Sequence, residues 1–156
     1  MAFSNKLIKA VLEPNTGEVF LFLVTFTHLT LEQPVRLVNN LEDIVSRGFT
    51  YKAFPLELSL PPDDGDTLPS VRLVCQNASL ELIEILRSVN GLLDVTIELI
   101  LASTPGYVEA EISNMRVSSI DYNKDTITLN CTVDDFLNTS FPKERYLPNN
   151  FPGLFK

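Results

Sequence analysis

Apolar and polar positions alternate along most of this chain, and the alternation brackets one stretch with a different period. Val71, Leu73 and Cys75 share a phase against Arg72, the pattern breaks at residues 76–79, and residues 80–89 then recur at helical spacing until Asn90-Gly91 stops them. Beyond that stop Leu93, Val95, Ile97, Leu99 and Leu101 fall on one face of a second strand. A strand, helix, strand unit over residues 70–101 is therefore expected to organise the rest.

Taken in order, residues 4–13 read as a short helix with Ser4 as its cap and Pro14-Asn15-Thr16-Gly17 as its stop. Residues 18–31 form a long strand, apolar on both faces over Phe20, Leu21, Phe22, Leu23 and Val24, which is either central in a sandwich or covered by another subunit. Residues 34–40 are a short extended piece, and residues 41–47 a linker or helical turn closed by Gly48. Over residues 49–60 Phe54, Leu56, Leu58 and Leu60 share a face, while Pro55 removes a ladder donor and argues for an edge or a bulge. The helix of residues 80–89 is apolar around more than one stripe, which points to cover on two sides, one of them a neighbouring subunit. After a turn at residues 103–106, Val108, Ala110 and Ile112 alternate with Glu109 and Glu111, and the chain runs on to Ile120. A turn at residues 122–125 then leads into Ile127, Leu129, Cys131 and Val133, with Thr126, Thr128, Asn130 and Thr132 facing out.

These elements imply a mainly β (α+β) fold: a β-sandwich or barrel with one flanking helix near residues 78–90 and a short N-terminal helix. Residues 1–140 read as one β-domain. Residues 141–156 set Phe141, Tyr146, Phe151 and Phe155 among prolines without either period, an extended C-terminal arm too apolar to be a solvated tail.

Composition narrows the function classes. The 156 residues suit a single core, and a net charge of -8 opposes general affinity for nucleic acid or anionic membranes. Met1 to Val11 lacks the pattern of a signal peptide and no apolar run reaches a membrane span, so the protein is expected to remain in the cytoplasm where it is made. Cys75 and Cys131 lie on buried phases and read as reduced core residues.

The chemistry an enzyme needs is missing from the pattern. His28 is the single histidine, it lies among threonines, and neither cysteine carries a nucleophile motif. Residues 76–79 contain no glycine, unlike the turns that cradle phosphates. Glu109 and Glu111 share a strand face and read as solvated carboxylates rather than an acid/base pair. Asp63, Asp64 and Asp66 form an acidic loop without the spacing of a calcium site. No catalytic residue, cofactor or metal is implied.

Three separated stretches carry a resemblance: Pro34-Val35-Arg36-Leu37-Val38-Asn39-Asn40 with Glu42-Asp43, the strand-to-helix passage of residues 73–86, and the ending from Leu137-Asn138-Thr139-Ser140-Phe141-Pro142 through Tyr146-Leu147-Pro148 to Phe151-Pro152-Gly153-Leu154. Together they resemble an uncharacterised family of phage tail proteins, a domain of unknown function encoded near the tape-measure protein, the cell-wall peptidase and the central tail fibre. The resemblance implies a non-enzymatic structural component of a tail tip or baseplate, similar to distal tail and minor tail proteins, with a tail-tube-like fold. It would join the tail tube to the tip complex as a homo-oligomeric ring, a hexamer or trimer, within the virion. DNA would cross the lumen without specific binding, past Asp63, Asp64 and Asp66. Subunit contacts are expected at Phe20, Phe22 and Val24, and in the arm at Phe141, Tyr146, Leu147, Phe151, Leu154 and Phe155. The competing expectations are a tail terminator, a trimeric hub, or a carbohydrate- or receptor-binding β-domain.

Overall fold

A computed structural model describes residues 3–13, 16–60, 70–76, 92–123 and 126–133. Helix α1 (Asn5–Leu12) is followed by nine strands: β1 (Phe20–Thr27), β2 (Val35–Val38), β3 (Ile44–Ser46), β4 (Phe49–Ala53), β5 (Leu56–Ser59), β6 (Ser70–Gln76), β7 (Asp94–Leu101), β8 (Thr104–Tyr122) and β9 (Thr126–Val133). They make one sheet in the order β3-β4-β2-β1-β7-β8-β9-β6-β5. Only β2 and β4 pair in parallel among the described strands.

The sheet has to roll. Strand β4 lies near one end of the order and β5 at the other, yet Phe54 and Pro55 alone join them. Two residues span at most roughly 7 Å, so the two ends are brought together. At this junction Phe54 N–H donates to the Val38 carbonyl at 2.9 Å, and Gln76 N–H donates to the Pro55 carbonyl at 3.1 Å. Pro55, which has no N–H to offer, thus sits where the strand changes neighbours. The expected single strand over residues 49–60 is two short ones.

Rolling encloses the main core, built from Val24, Phe26, Leu73, Ile97, Met115 and Leu129 with their neighbours. A second, smaller core forms on the opposite face of β1 from Leu21, Leu23, Val38, Tyr51 and Ile100. Strand β1 is the wall between them. Alternate residues serve one core each, so its two-faced apolar character needs no second subunit. Strand β7 pairs along the whole of one edge of β1, and β2 covers the other over Leu23–Phe26.

Several local expectations shift. Residues 44–46, read as linker or helical turn, form β3 and meet β4 through a hairpin whose central residues, Arg47 (φ 51°) and Gly48 (φ 83°), are both left-handed. The turn expected at residues 103–106 is tighter and earlier: Leu101 pairs with Thr104, so Ala102-Ser103 makes it. Strands β6 and β7, expected as one unit, are not neighbours in the sheet. The helix expected near residues 78–90 and the arm of residues 141–156 lie outside the described residues.

Candidate functional surfaces

The seat of α1 is set by its cap. Ser4 Oγ accepts from Leu7 N–H at 3.0 Å, ending the helix as Ser at this position does. The same residue holds a buried carboxylate: Ser4 N–H donates to Glu109 Oε2 at 2.9 Å and its hydroxyl to Oε1 at 2.5 Å. Glu109 is 1% exposed, whereas Glu111 stays in solvent. The difference has a local cause. The β7–β8 register shifts between Leu99 and Ile100, which pair with Ala110 and Val108, so Glu109 is the extra residue of a bulge. The expectation that both acids share one solvated face is thereby corrected.

Polar contacts fix the flank of the helix. Lys6 Nζ reaches Ser103 Oγ at 2.7 Å and Glu18 Oε1 at 3.0 Å, and Ser103 Oγ donates to Glu18 Oε2 at 2.5 Å. The Ser103 hydroxyl, with help from Lys6, holds the Glu18 carboxyl below its ordinary pKa. Leu7 and Ala10 turn inward, while Phe3, Ile8, Val11 and Leu12 remain exposed. The apolar stripe of α1 is thus wider than the part the sheet covers.

A second constellation closes the smaller core. Arg47 donates from Nη1 to Glu98 Oε1 at 2.8 Å and from Nη2 to Oε2 at 2.5 Å, and Tyr51 Oη lies 3.4 Å from Oε2. These bonds raise the Arg47 pKa, the hydrogen bonds to Glu98 foremost. Ser46 Oγ donates to the Pro105 carbonyl at 2.6 Å, pinning β3 beside the start of β8. Arg36 lies 4.2 Å from the centre of the Phe49 ring. Thr25, Arg36, Arg47, Phe49, Tyr51, Thr96 and Glu98 line a shallow cleft of about 250 Å³. Its charged groups are already paired, so its chemistry is that of a structural clamp.

His28 lies just past β1, with Nδ1 2.7 Å from Thr30 Oγ1. Cys75 and Cys131 are buried and unpaired as thiols, and burial raises their pKa to about 11 and about 12, with the charge of Cys75 adding to the shift of Cys131. Their ladder partners are Ile127 and Val71, four positions apart on each strand, so the β6–β9 register keeps them from bridging. Among the described residues no three metal-ligating side chains cluster.

Of the contacts expected from the sequence, Val24 is 1% exposed and part of the main core, Phe22 packs partly against that core, and Phe20 is half-buried. Phe141, Tyr146, Leu147, Phe151, Leu154, Phe155, Asp63, Asp64 and Asp66 lie outside the described residues. Exposed apolar side chains occur at both ends of the β1–β7–β8 ladder, and also at Val45, Phe49 and Leu60. One end carries the α1 stripe, because Phe20 pairs with Leu101 there, and Leu41 lies on the loop beyond the same end of β1. At the other end, where Thr27 pairs with Asp94, Leu29 is fully exposed and Leu92 is close by in the chain.

The described residues thus form a rolled, mainly β-domain with polar clusters at Glu109 and Glu98 and exposed apolar side chains at both ends of its central ladder. The sequence profile of a domain of unknown function (DUF1833) matches residues 7–146, and the chain belongs to that family. No curated protein matches it.

Proposed function

We propose that this protein is a structural, non-enzymatic subunit of a bacteriophage tail tip or baseplate, a distal tail or hub ring component that joins the tail tube to the tip complex. The observation that carries the reading is the pair of apolar ends. Exposed large apolar side chains grouped at one place on a domain mark protein contacts. Phe3, Ile8, Val11 and Leu12 are exposed toward one end of the β1–β7 ladder and Leu29 beyond the other. That suits a subunit held between two different neighbours, as head-to-tail contacts require. The resemblance of residues 34–43, 73–86 and 137–154 to phage tail proteins supplies the biological setting. In such a ring the net charge of -8, with Asp63, Asp64 and Asp66 toward the lumen, would keep passing DNA from sticking.

The test is the mass of the purified protein by light scattering after size exclusion, with negative-stain imaging of any large species. Rings of three or six subunits are the expected result. A monomer at every concentration that also ignores purified tail-tube and tip proteins would sink the proposal and direct attention to glycan binding.

A further inference from the structure

The cleft beside the Arg47–Glu98 clamp contains a second arginine that the clamp does not use. Arg36 of β2 pairs with Thr25 of β1, and Thr25 pairs in turn with Thr96 of β7. Residues directly opposite in a ladder point to the same face, with Cβ atoms about 5 Å apart. One guanidinium and two hydroxyls therefore form a row across three strands. All three residues line the cleft and are half-buried.

We propose that this row binds a single carboxylate, brought by an acidic side chain of a protein partner. Orientation is the first argument. The Arg36 guanidinium carbon lies 4.2 Å from the centre of the Phe49 ring, a contact that uses the face of the group. Its N–H donors lie in the plane of the group, in the fork that matches the two oxygens of a carboxylate. Among the described residues Arg36 makes no ion pair, whereas Arg47 is committed to Glu98.

Charge is the second argument. Two arginines against Glu98 leave the cleft with one net positive charge, on a chain that carries -8 overall. A monoanion balances it. A dianion such as phosphate is drawn less well, because it meets Glu98 and the exposed Glu111, which lies opposite Glu98 in the β7–β8 ladder. Size is the third. The cleft holds about 250 Å³ and is shallow, whereas pockets that enclose a free ligand run from about 300 to 1,000 Å³. One side chain reaching in from a neighbouring protein fits that space. The Thr25 and Thr96 hydroxyls then donate beside the arginine fork and position the carboxylate. The inference stands on the row itself, whether or not the protein belongs to a tail.

An NMR titration of the full chain tests it, with glutamate capped at both ends by acetyl and amide groups, so that its side chain is its one charge. Capped glutamine and inorganic phosphate are the comparisons. Capped glutamate should shift the Arg36 Nε–H signal and the Thr25 and Thr96 amides saturably, with a Kd on the order of 10 mM for so small a contact. Arg36→Gln should weaken binding by about fivefold or more, and Arg36→Lys, which keeps the charge and loses the fork, should recover only part of it. Thr25→Val should weaken binding with the arginine intact. Unmoved amides of Leu21 and Leu23 show that a variant keeps its fold; should Arg36→Gln disturb them, Arg36→Lys and Thr25→Val carry the test. Shifts that never saturate, or that capped glutamine reproduces, overturn the proposal. Equal affinity in the arginine variants overturns it too, because the carboxylate then sits elsewhere. Phosphate saturating the same signals at lower concentration means a general anion site and overturns the assignment to an acidic side chain.

Discussion

Arg47 grips Glu98 through both terminal nitrogens, at 2.8 and 2.5 Å, although β2 and β1 lie between their strands in the sheet. The grip depends on the hairpin turn. Arg47 and Gly48 both take left-handed backbone, which swings the guanidinium back over the outer face of β1. The pair thereby holds β3 and β4 down on Leu21, Leu23 and Ile100.

Removing one partner should cost more than removing both. Arg47→Ala leaves Glu98, 6% exposed, with only the distant Tyr51 hydroxyl, and the urea midpoint should fall by the equivalent of about 1–3 kcal/mol, the lower half being expected because Arg47 is itself partly solvated. Arg47→Met combined with Glu98→Leu should cost less than the sum of the single changes. Additive losses in that cycle would show that the two side chains act separately.

The helix seat makes a second case. Ser4→Ala removes both the cap of α1 and one donor to the buried Glu109, and should destabilise by about 1–2 kcal/mol. Ser4→Thr keeps the hydroxyl and should retain most of that stability. Thermal melts of the two variants separate the hydroxyl from simple packing. Equal losses would assign the effect to crowding at Glu109.

Alkaline pH should weaken the fold through its thiols. Both cysteines have folded pKa values raised, to about 11 and about 12, above the ordinary 9.0. A folded state that keeps its protons longer loses stability once the unfolded chain releases them. The thiols' contribution should therefore be constant below pH 9 and decline from there through the folded values, and Cys75→Ala with Cys131→Ala should flatten that limb. Alkylation tells the same story: neither thiol reacts in the folded protein at neutral pH, and both react in concentrated urea.

Much of this fold was legible in the pattern. Period-two runs at Val71, Leu73 and Cys75, and at Ile127, Leu129 and Cys131, mark strands whose inner faces build the main core. Pro55 marks the point where the sheet closes, because a missing donor is tolerated only where pairing changes hands. What could not be read was long-range: that β1 serves two cores, that β6 and β7 part company, and that Arg47 finds Glu98. Each depends on how far the sheet rolls, which no local period encodes. Glu109 was hidden by a bulge, which shifts the face of a residue without altering the residues around it. The exposed apolar ends were not legible for a related reason. Val24 is core and Phe20 and Phe22 are partly buried, whereas Leu29 and Leu12 stand out only once the fold shows them uncovered.

The two ends give the sharpest test of assembly. Leu12 is 77% exposed and Leu29 is 102% exposed, so Leu12→Glu and Leu29→Glu should each leave folding within about 0.5 kcal/mol of the parent. If copies meet head to tail, each variant alone has lost one half of every contact and should run as a monomer. Mixed in equal amounts, the intact Leu29 end of the first variant can meet the intact Leu12 end of the second. The mixture should then form pairs and stop there, since the outer ends of the pair are both altered. A contact between like ends predicts something else: one variant keeps its association, and mixing adds nothing. Light scattering on the two variants and on their mixture distinguishes these outcomes. Parent-sized rings from both single variants would place the ring contact away from the ladder ends altogether.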